Sequence, residues 1–209
     1  MTDTDWSRFR VETIGYPTYV KRNLIHAELL WEVIRRARGG VLEVGIGSGA
    51  QSSVLSRIVP RVVAVDNDSR IISAARRNVD RYGPGVRLIA ADAFALPFAE
   101  RRFGVSISQG LMEHFPDEAI AQLVREQLRV SNSVVFSVPS DRYPRQDVGN
   151  ERLMPPSRWA AIVRSGLPAS RFRVRARYYR FDPESWKYSA LARRPLGSFS
   201  VLVTVDPDA

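Results

Sequence analysis

Short apolar runs alternate with amphipathic segments along most of this chain. The runs are rich in valine and isoleucine and lack strict polar alternation, which is typical of strands buried on both faces of a parallel sheet. They are Val41–Val44, Arg61–Val65, Val86–Ala90, Phe103–Ser108 and Ser133–Val138. Between them, apolar residues recur at helical spacing in Ser69–Arg81 and Asp117–Val130. Strands that alternate with helices predict a doubly wound α/β sheet.

The two ends of the chain depart from this alternation. An aromatic N-terminal segment leads into a helix predicted over Asn23–Arg38, where His26 is expected to face a neighbour or solvent. Arg171–Tyr179 alternates arginines with apolar residues, which predicts a strand with one wet face. Phe199–Val205 predicts a last strand, reached through a loop that includes Pro195 and Gly197. This antiparallel pair completes a predicted seven-stranded, mostly parallel sheet with helices on both faces.

The pattern predicts one domain over residues 1–209. Its four parts are an aromatic and helical cap (1–38), a core (39–138), a proline-rich loop (139–156) and a C-terminal helix with strands (157–209). A loop as long as 139–156 is often a functional lid.

Composition supports a soluble globular protein, expected in the cytoplasm. The chain is 44% hydrophobic and 25% charged, and no apolar run approaches the ~20 residues that a membrane span needs. It contains no cysteine, which excludes disulfides, thiolate metal ligands and a cysteine nucleophile. The histidines and acids show no metal-ligand spacing, so no metal is expected. The sequence leaves the oligomeric state open.

The net charge of +9 comes almost entirely from arginine, because only Lys21 and Lys187 are lysines among 31 basic residues. A basic surface attracts nucleic acid. The arginines are spread along the chain, however, and a solvated arginine-rich surface explains them as well.

A glycine-rich turn follows the first predicted strand. Gly45, Gly47 and Gly49 lie between this strand and a helix predicted over Ser52–Ile58. Glycine lets the backbone turn tightly and approach a ligand without interference from Cβ. The spacing also fits a dinucleotide fingerprint, with Asp66 as its ribose-binding acid, so the turn alone is ambiguous.

Acidic residues at the ends of three successive strands resolve this ambiguity. A carboxylate at Glu43 would repel a pyrophosphate and attract an ammonium or sulfonium group. Asp66 ends the second strand and suits ribose hydroxyls, while Asp92 ends the third and can accept a hydrogen bond from an adenine amine. Together they indicate a site for a nucleoside cation.

Four motifs in this order, LEVGIGSGAQS, AVDND, AADAFALPF and FGVSISQGLMEHF, resemble class I, Rossmann-like methyltransferases of the small-molecule type. The resemblance covers roughly Val41–Val138. It implies S-adenosylmethionine as cofactor, a small-molecule methyl acceptor and nine cofactor-binding residues. These are Glu43, Gly45 and Gly47 at the methionine end, Gly49 in the same turn, Ser108 near the amino-acid moiety, Asp66 at the ribose, and Asn67, Asp92 and Ala93 at the adenine.

Glu113 and His114 follow the fourth strand, where the acceptor pocket should begin. An imidazole has an unperturbed pKa near 6.5, which suits a general base. We therefore take His114 as the first candidate base and Glu113 as the second; the other interpretation is that the pair only shapes the pocket. The pocket is expected between the N-terminal aromatic segment, Ser108–Phe115 and Pro139–Pro156. Tyr16 and Tyr19 in the aromatic segment are interpreted as hydrophobic cover.

Three other functions fit parts of the sequence. An RNA or DNA methyltransferase would use the arginines on phosphates, but the chain has no Asn-Pro-Pro-Tyr-like motif. An NAD(P)-dependent oxidoreductase fits the glycine spacing, but not Glu43 and Asp92. A non-catalytic scaffold of the same fold is the third.

Overall fold

The regular structure of the described residues includes seven strands, six α-helices and a short 3-10 turn, Met112–His114. The computed structural model describes residues 13–144, 146, 149–168, 170–183 and 198–208. The strands are β1 Val41–Val44, β2 Val62–Asp66, β3 Val86–Ala90, β4 Phe103–Gln109, β5 Ser131–Pro139, β6 Phe172–Tyr178 and β7 Ser200–Pro207. The helices are α1 Tyr16–Ile25, α2 Ala27–Ile34, α3 Ala50–Leu55, α4 Ser69–Tyr82, α5 Asp117–Val130 and α6 Pro156–Ser165. Within these ranges no helix has the length and apolar character needed to cross a bilayer.

The strands form one sheet in the order β3-β2-β1-β4-β5-β7-β6. The first five strands are parallel, and β7 runs antiparallel to both β5 and β6. The predicted fold class is confirmed. The strand order reverses between β1 and β4, and in such sheets the crevice at this reversal, beyond the carboxyl ends of the strands, is where ligands bind.

Helices cover both faces of the sheet, which explains the unbroken apolar runs of its central strands. On one face α2, α3 and α4 pack on the sheet, with Leu29 and Val105 fully buried. On the other face α5 and α6 pack on β5 and β7, where Trp159 meets Phe136 edge-on at 6.1 Å. Buried strands of this kind need apolar side chains on both faces.

The prediction of one helix over Asn23–Arg38 is wrong. The helix begins earlier, at Tyr16, because Pro17 suits a first helical turn. His26 then leaves helical geometry, with φ −100° and ψ 23°, and separates α1 from α2. The second helix ends at Ile34, where the backbone tightens into i to i−3 hydrogen bonds such as Arg36 N to Val33 O at 2.9 Å.

Other predicted boundaries shift by a few residues. The helix predicted over Ser52–Ile58 is α3, which begins at Ala50 because Gly49 turns the chain directly into it. Its end gives way to shorter-range turns after Leu55. Strands β2, β4, β5, β6 and β7 differ from their predicted ends by one or two residues. Pro195 and Gly197 lie outside the described residues.

The N-terminal segment is anchored on α4 by hydrogen bonds and a stacked pair of rings. Asn78 accepts from Ile14 N at 2.9 Å and donates to Ser48 O at 3.0 Å. Tyr19 stacks on Tyr82 with ring centroids 4.4 Å apart. Tyr19 is therefore hydrophobic cover, as predicted, whereas Tyr16 is 64% exposed.

Gly104 allows the turn before β1 to lie directly on β4. A Cβ atom at Gly104 would be 2.0 Å from the carbonyl oxygen of Arg38 and 2.5 Å from that of Arg36. Its N–H donates to Gly40 O at 3.0 Å. The backbone of this turn thus occupies the space that any side chain would need.

We expect Gly104→Ala to lower the free energy of unfolding by about 2 kcal/mol or more, since backbone atoms must move to admit the methyl group. In a chain of this size that corresponds to a melting temperature lower by roughly 5 °C. Gly85→Ala is the matched control, because its Cβ would meet nothing closer than 3.6 Å. Equal melting temperatures for the two variants would contradict the packing argument.

Candidate cofactor and acceptor site

The fold brings the predicted cofactor residues to one edge of the sheet. Glu43 lies in β1, Asp66 ends β2, Asp92 follows β3 and Ser108 lies near the end of β4. Because β1 to β4 are parallel, their carboxyl ends meet at the same edge. Residues that are far apart in the sequence therefore lie at one edge of the sheet.

The glycine loop, residues 45–49, packs closely against its surroundings. Gly45, Gly47 and Gly49 have φ values of 78°, 50° and 73°, in the region that favours glycine. The N–H groups of Gly45 and Ile46 donate to Val65 O at 3.0 and 3.2 Å. A Cβ at Gly45 would lie 3.3 Å from Leu111 Cδ1. The loop thus contacts both β2 and the turn after β4.

Glu43 is almost completely buried and faces the first turn of α3. Its carboxylate accepts hydrogen bonds from Ser52 N at 3.0 Å and from the Ser52 hydroxyl. Burial raises the pKa of Glu43 to about 7, and the negative charge of Asp66 adds to the effect. Ser52 was not singled out in the sequence, although its position in the first turn of a helix suits a carboxylate partner.

Asp66 is held by backbone N–H groups around it. Asp68 N donates to Asp66 Oδ1 at 3.1 Å, and the N–H groups of Asn67 and Gly47 also donate hydrogen bonds to this carboxylate. Partial burial nevertheless raises the pKa of Asp66. The cap of α4 is instead Asp68, whose side chain accepts from Arg70 N at 2.8 Å. Asp66 is thus not needed to start the helix.

The adenine side of the predicted site is more open. Asp92 and Asn67 are exposed, and the Asp92 carboxylate accepts from Phe94 N at 2.9 Å. Ala93 is partly buried beside it. Ser108 is fully buried, and its hydroxyl has no hydrogen-bond partner among the described residues.

Glu113 and His114 lie side by side in a short 3-10 turn, Met112–His114, and both are buried. Burial raises the pKa of Glu113 to about 8, and the charge of Glu151 adds to the shift. Its Oε2 atom has no hydrogen-bond partner in the described structure. His114 Nδ1 lies 2.7 Å from Asn150 Oδ1, and because a carbonyl oxygen only accepts, Nδ1 is the donor.

The 139–156 loop is fastened to this turn. Arg152 N donates to Glu113 O at 3.0 Å, and the Arg152 guanidinium donates to Phe115 O at 2.9 Å. Ser108–Phe115 and Pro139–Pro156, two of the three segments predicted to enclose the pocket, are therefore in contact. Tyr19 does not join them, since its ring packs on α4.

A third set of polar side chains near this edge was not predicted from the sequence. His26, at the break between α1 and α2, hydrogen bonds to Tyr179, which in turn hydrogen bonds to Ser137 on β5. No local motif marks these residues, because the contacts join positions 153 and 42 residues apart. Of these residues, only His26 could have been noticed in the sequence, because the chain has just two histidines.

Comparisons with known proteins agree with this geometry. A family model described as a methyltransferase domain matches residues 41–133. The chain is 26% identical over 125 residues to a protein-L-isoaspartate O-methyltransferase of Bradyrhizobium sp. (strain ORS 278), covering 55% of this chain and 58% of that protein. It is 38% identical over 88 residues to a demethylmenaquinone methyltransferase of Thermobifida fusca (strain YX), covering 41% and 37%.

The extent of these matches differs between sequence and structure. The sequence alignments span 42% to 58% of the first three curated relatives. A solved S-adenosylmethionine-dependent methyltransferase from Aquifex aeolicus shares the fold with a TM-score of 0.65 at 14% identity, over 92% of this chain and 98% of that one. Residues 41–133 thus match a methyltransferase domain, and the sheet that carries them has the fold of a solved S-adenosylmethionine-dependent methyltransferase.

Proposed function

We propose that this protein transfers the methyl group of S-adenosylmethionine to an oxygen, nitrogen or carbon nucleophile of a small molecule, in natural-product or cofactor biosynthesis. The observation that carries the proposal is the set of acids around the glycine loop. Glu43, Asp66 and Asp92 lie at the ends of three adjacent strands, and none forms a salt bridge within the described residues. Unpaired carboxylates beside a crevice favour a cationic ligand.

The residues present fit this cofactor. The loop presents backbone at Gly45, where a side chain would strike Leu111, and the nearby carboxylates of Glu43 and Asp66 match a ligand with an ammonium, a sulfonium and ribose hydroxyls. Asp92 and the Ala93 amide would contact the adenine, and Ser108 the amino-acid moiety. When bound, S-adenosylmethionine supplies an electrophilic methyl group on a good leaving group. The chain's own residues then mainly orient the acceptor and exclude water.

A base is needed only where the acceptor arrives protonated. We assign this role first to His114, whose Nδ1 lies 2.7 Å from Asn150 Oδ1 and whose Nε2 carries the lone pair when the ring is neutral. Glu113 is the second candidate, since a carboxyl with a pKa of about 8 can take or give a proton near neutral pH. Both lie on the turn that contacts Gly45 through Leu111.

A nucleic-acid acceptor is the second candidate function, favoured by the net charge of +9. Ion pairs reduce the number of arginines available for phosphates. Such pairs include Arg36–Asp206, Arg129–Glu126, Arg152–Asp117 and Arg177–Glu28.

Cofactor binding can be tested with one substitution. We expect Asp66→Ala to weaken binding of S-adenosylhomocysteine by about 1.5–3 kcal/mol, the usual value for hydrogen bonds to a charged group. Isothermal calorimetry gives the affinity directly, and NADH should produce no binding heat.

Asp68→Ala is the matched control, because it removes an acid two residues away that caps α4. It should cost about 1 kcal/mol of stability and leave the affinity unchanged. Binding of NADH without a response to S-adenosylhomocysteine would refute the proposed cofactor.

The acceptor class can be tested with methyl-labelled S-adenosylmethionine and a cell lysate divided into small-molecule, protein and RNA fractions. We expect label in the small-molecule fraction, with Asp66→Ala as the inactive control. Label that stays with RNA and disappears after ribonuclease treatment would favour the second candidate function.

Burial of Glu113 predicts a pH-dependent stability. Its folded-state pKa of about 8 exceeds the unfolded value of 4.5, so the folded protein holds the proton more tightly. This contribution to stability is complete below pH 4.5 and is lost as the pH rises through 8. The slope from this group is at most about 1.4 kcal/mol per pH unit.

Glu113→Gln mimics the protonated side chain and should remove this slope. Urea unfolding of both proteins between pH 5 and pH 9 isolates the effect, because Glu43 and His26 titrate in both. Parallel pH profiles would show that Glu113 is ionised in the folded protein.

A further inference from the structure

A chain of hydrogen bonds runs from the N-terminal helices to β5. His26 Nδ1 lies 3.2 Å from the Tyr179 hydroxyl, and this hydroxyl donates to Ser137 Oγ at 2.8 Å. Tyr179 is 4% exposed and Ser137 is 1% exposed. Polar side chains this deeply buried are held by their mutual hydrogen bonds.

This series of hydrogen bonds ends at Ser137, beside the proposed acceptor pocket. Ser137 pairs with Gln109 at the end of β4, and its carbonyl oxygen accepts from Gly110 N at 3.0 Å. Gly110 begins the turn that carries Glu113 and His114. The helix that follows His26, α2, packs against β4 and β5. His26 is therefore linked through Tyr179 to the carboxyl end of β5.

The direction of these hydrogen bonds sets the tautomer of His26. A tyrosine hydroxyl has one hydrogen; where Tyr179 gives it to Ser137, the contact with His26 requires a proton on Nδ1. The lone pair then lies on Nε2, which receives no hydrogen bond from any described residue. Burial, together with the charge of Arg22 on α1, lowers the pKa of His26 to about 4, so the ring is neutral near pH 7.

The two carboxylates near this series of hydrogen bonds, Glu28 and Asp182, accept hydrogen bonds from other groups. Glu28 on α2 accepts from Arg177 and from the backbone N–H groups of Arg180 and Phe181. Asp182 accepts from Phe199 N at 2.7 Å. Both carboxylates face Tyr179, and burial raises its pKa. The tyrosine thus stays protonated and keeps its donor role.

We infer that His26 is a specificity residue of the acceptor site, whose Nε2 accepts a hydrogen bond from a neutral hydroxyl or amine of the methyl acceptor. Tyr179 and Ser137 are positioning residues that hold the ring in this tautomer. A carboxylate or phosphate at this place would present an oxygen lone pair to the lone pair of Nε2. The site therefore rejects an anionic acceptor. The inference rests on the proposed methyl transfer, since it needs an acceptor beside the cofactor.

The tautomer is tested first, by nitrogen NMR of protein labelled with ¹⁵N-histidine. The sequence has two histidines, and His114→Gln assigns their signals. We expect His26 to carry its proton on Nδ1 at pH 7 and to remain neutral down to about pH 5. Tyr179→Phe should mix the tautomers and leave the pKa of His26 low, because burial and the charge of Arg22 remain. Tyr178→Phe is the matched control, because the Tyr178 hydroxyl bonds to Asp141 instead, and it should change nothing.

Recognition is tested on the same sample saturated with S-adenosylhomocysteine. Phenol and aniline are the neutral donor probes, and benzoate is an anion of similar size. We expect phenol or aniline to move the Nε2 resonance of His26 towards its hydrogen-bonded position, with no response to benzoate.

Three results would overturn the inference: a proton on Nε2, an equal response to benzoate, or no response of His26 to either donor at millimolar concentration. Failure of S-adenosylhomocysteine to bind would instead refute the proposed function. The two failures are therefore distinguishable, and the wild-type measurements need no variant that might fold poorly.

Discussion

The glycine loop between β1 and α3 is the constraint on which the rest of the site depends. Two of its N–H groups share the carbonyl oxygen of Val65, and Gly47 N acts on Asp66, so the loop fixes the end of β2. Ser48 O accepts from Asn78, which also holds the N-terminal segment. On its other side the loop touches Leu111. A Cβ at Gly45 or Gly49 would crowd Leu111 or Val79, and the positive φ values of Gly45, Gly47 and Gly49 favour glycine.

Charge is unevenly distributed in this basic protein. Many surface acids are paired with arginine, as in the contact of Asp206 with Arg36 at 2.6 Å. The buried acids Glu43 and Glu113 have no such partner in the described structure, and their pKa values rise to about 7 and about 8. Burying an unpaired carboxyl costs stability. A cation near Glu43 would offset this cost, which agrees with the cationic cofactor proposed for this region.

The sequence predicted most of the sheet because buried parallel strands and amphipathic helices leave strong periodic patterns. It also placed Glu43, Asp66 and Asp92 at strand ends, from which a shared edge follows. It could not predict the break at His26, because nothing local opposes helix there; the ring instead finds Tyr179, 153 residues away. Ser52, the partner of Glu43, and Asn150, the partner of His114, could not be predicted either, because each contact depends on how two elements pack.

These long-range contacts decide how the two histidines can act. Both rings have an oxygen within hydrogen-bond distance of Nδ1, Asn150 Oδ1 for His114 and the Tyr179 hydroxyl for His26, which leaves Nε2 to accept when the ring is neutral. They differ in surroundings, because burial lowers the pKa of His26 to about 4, which makes it a poor base and a good neutral acceptor. Methyl transfer from a sulfonium needs an oriented nucleophile more than a strong base. The proposed site, in which His26 orients the acceptor and Glu113 and His114 take its proton, would meet that need.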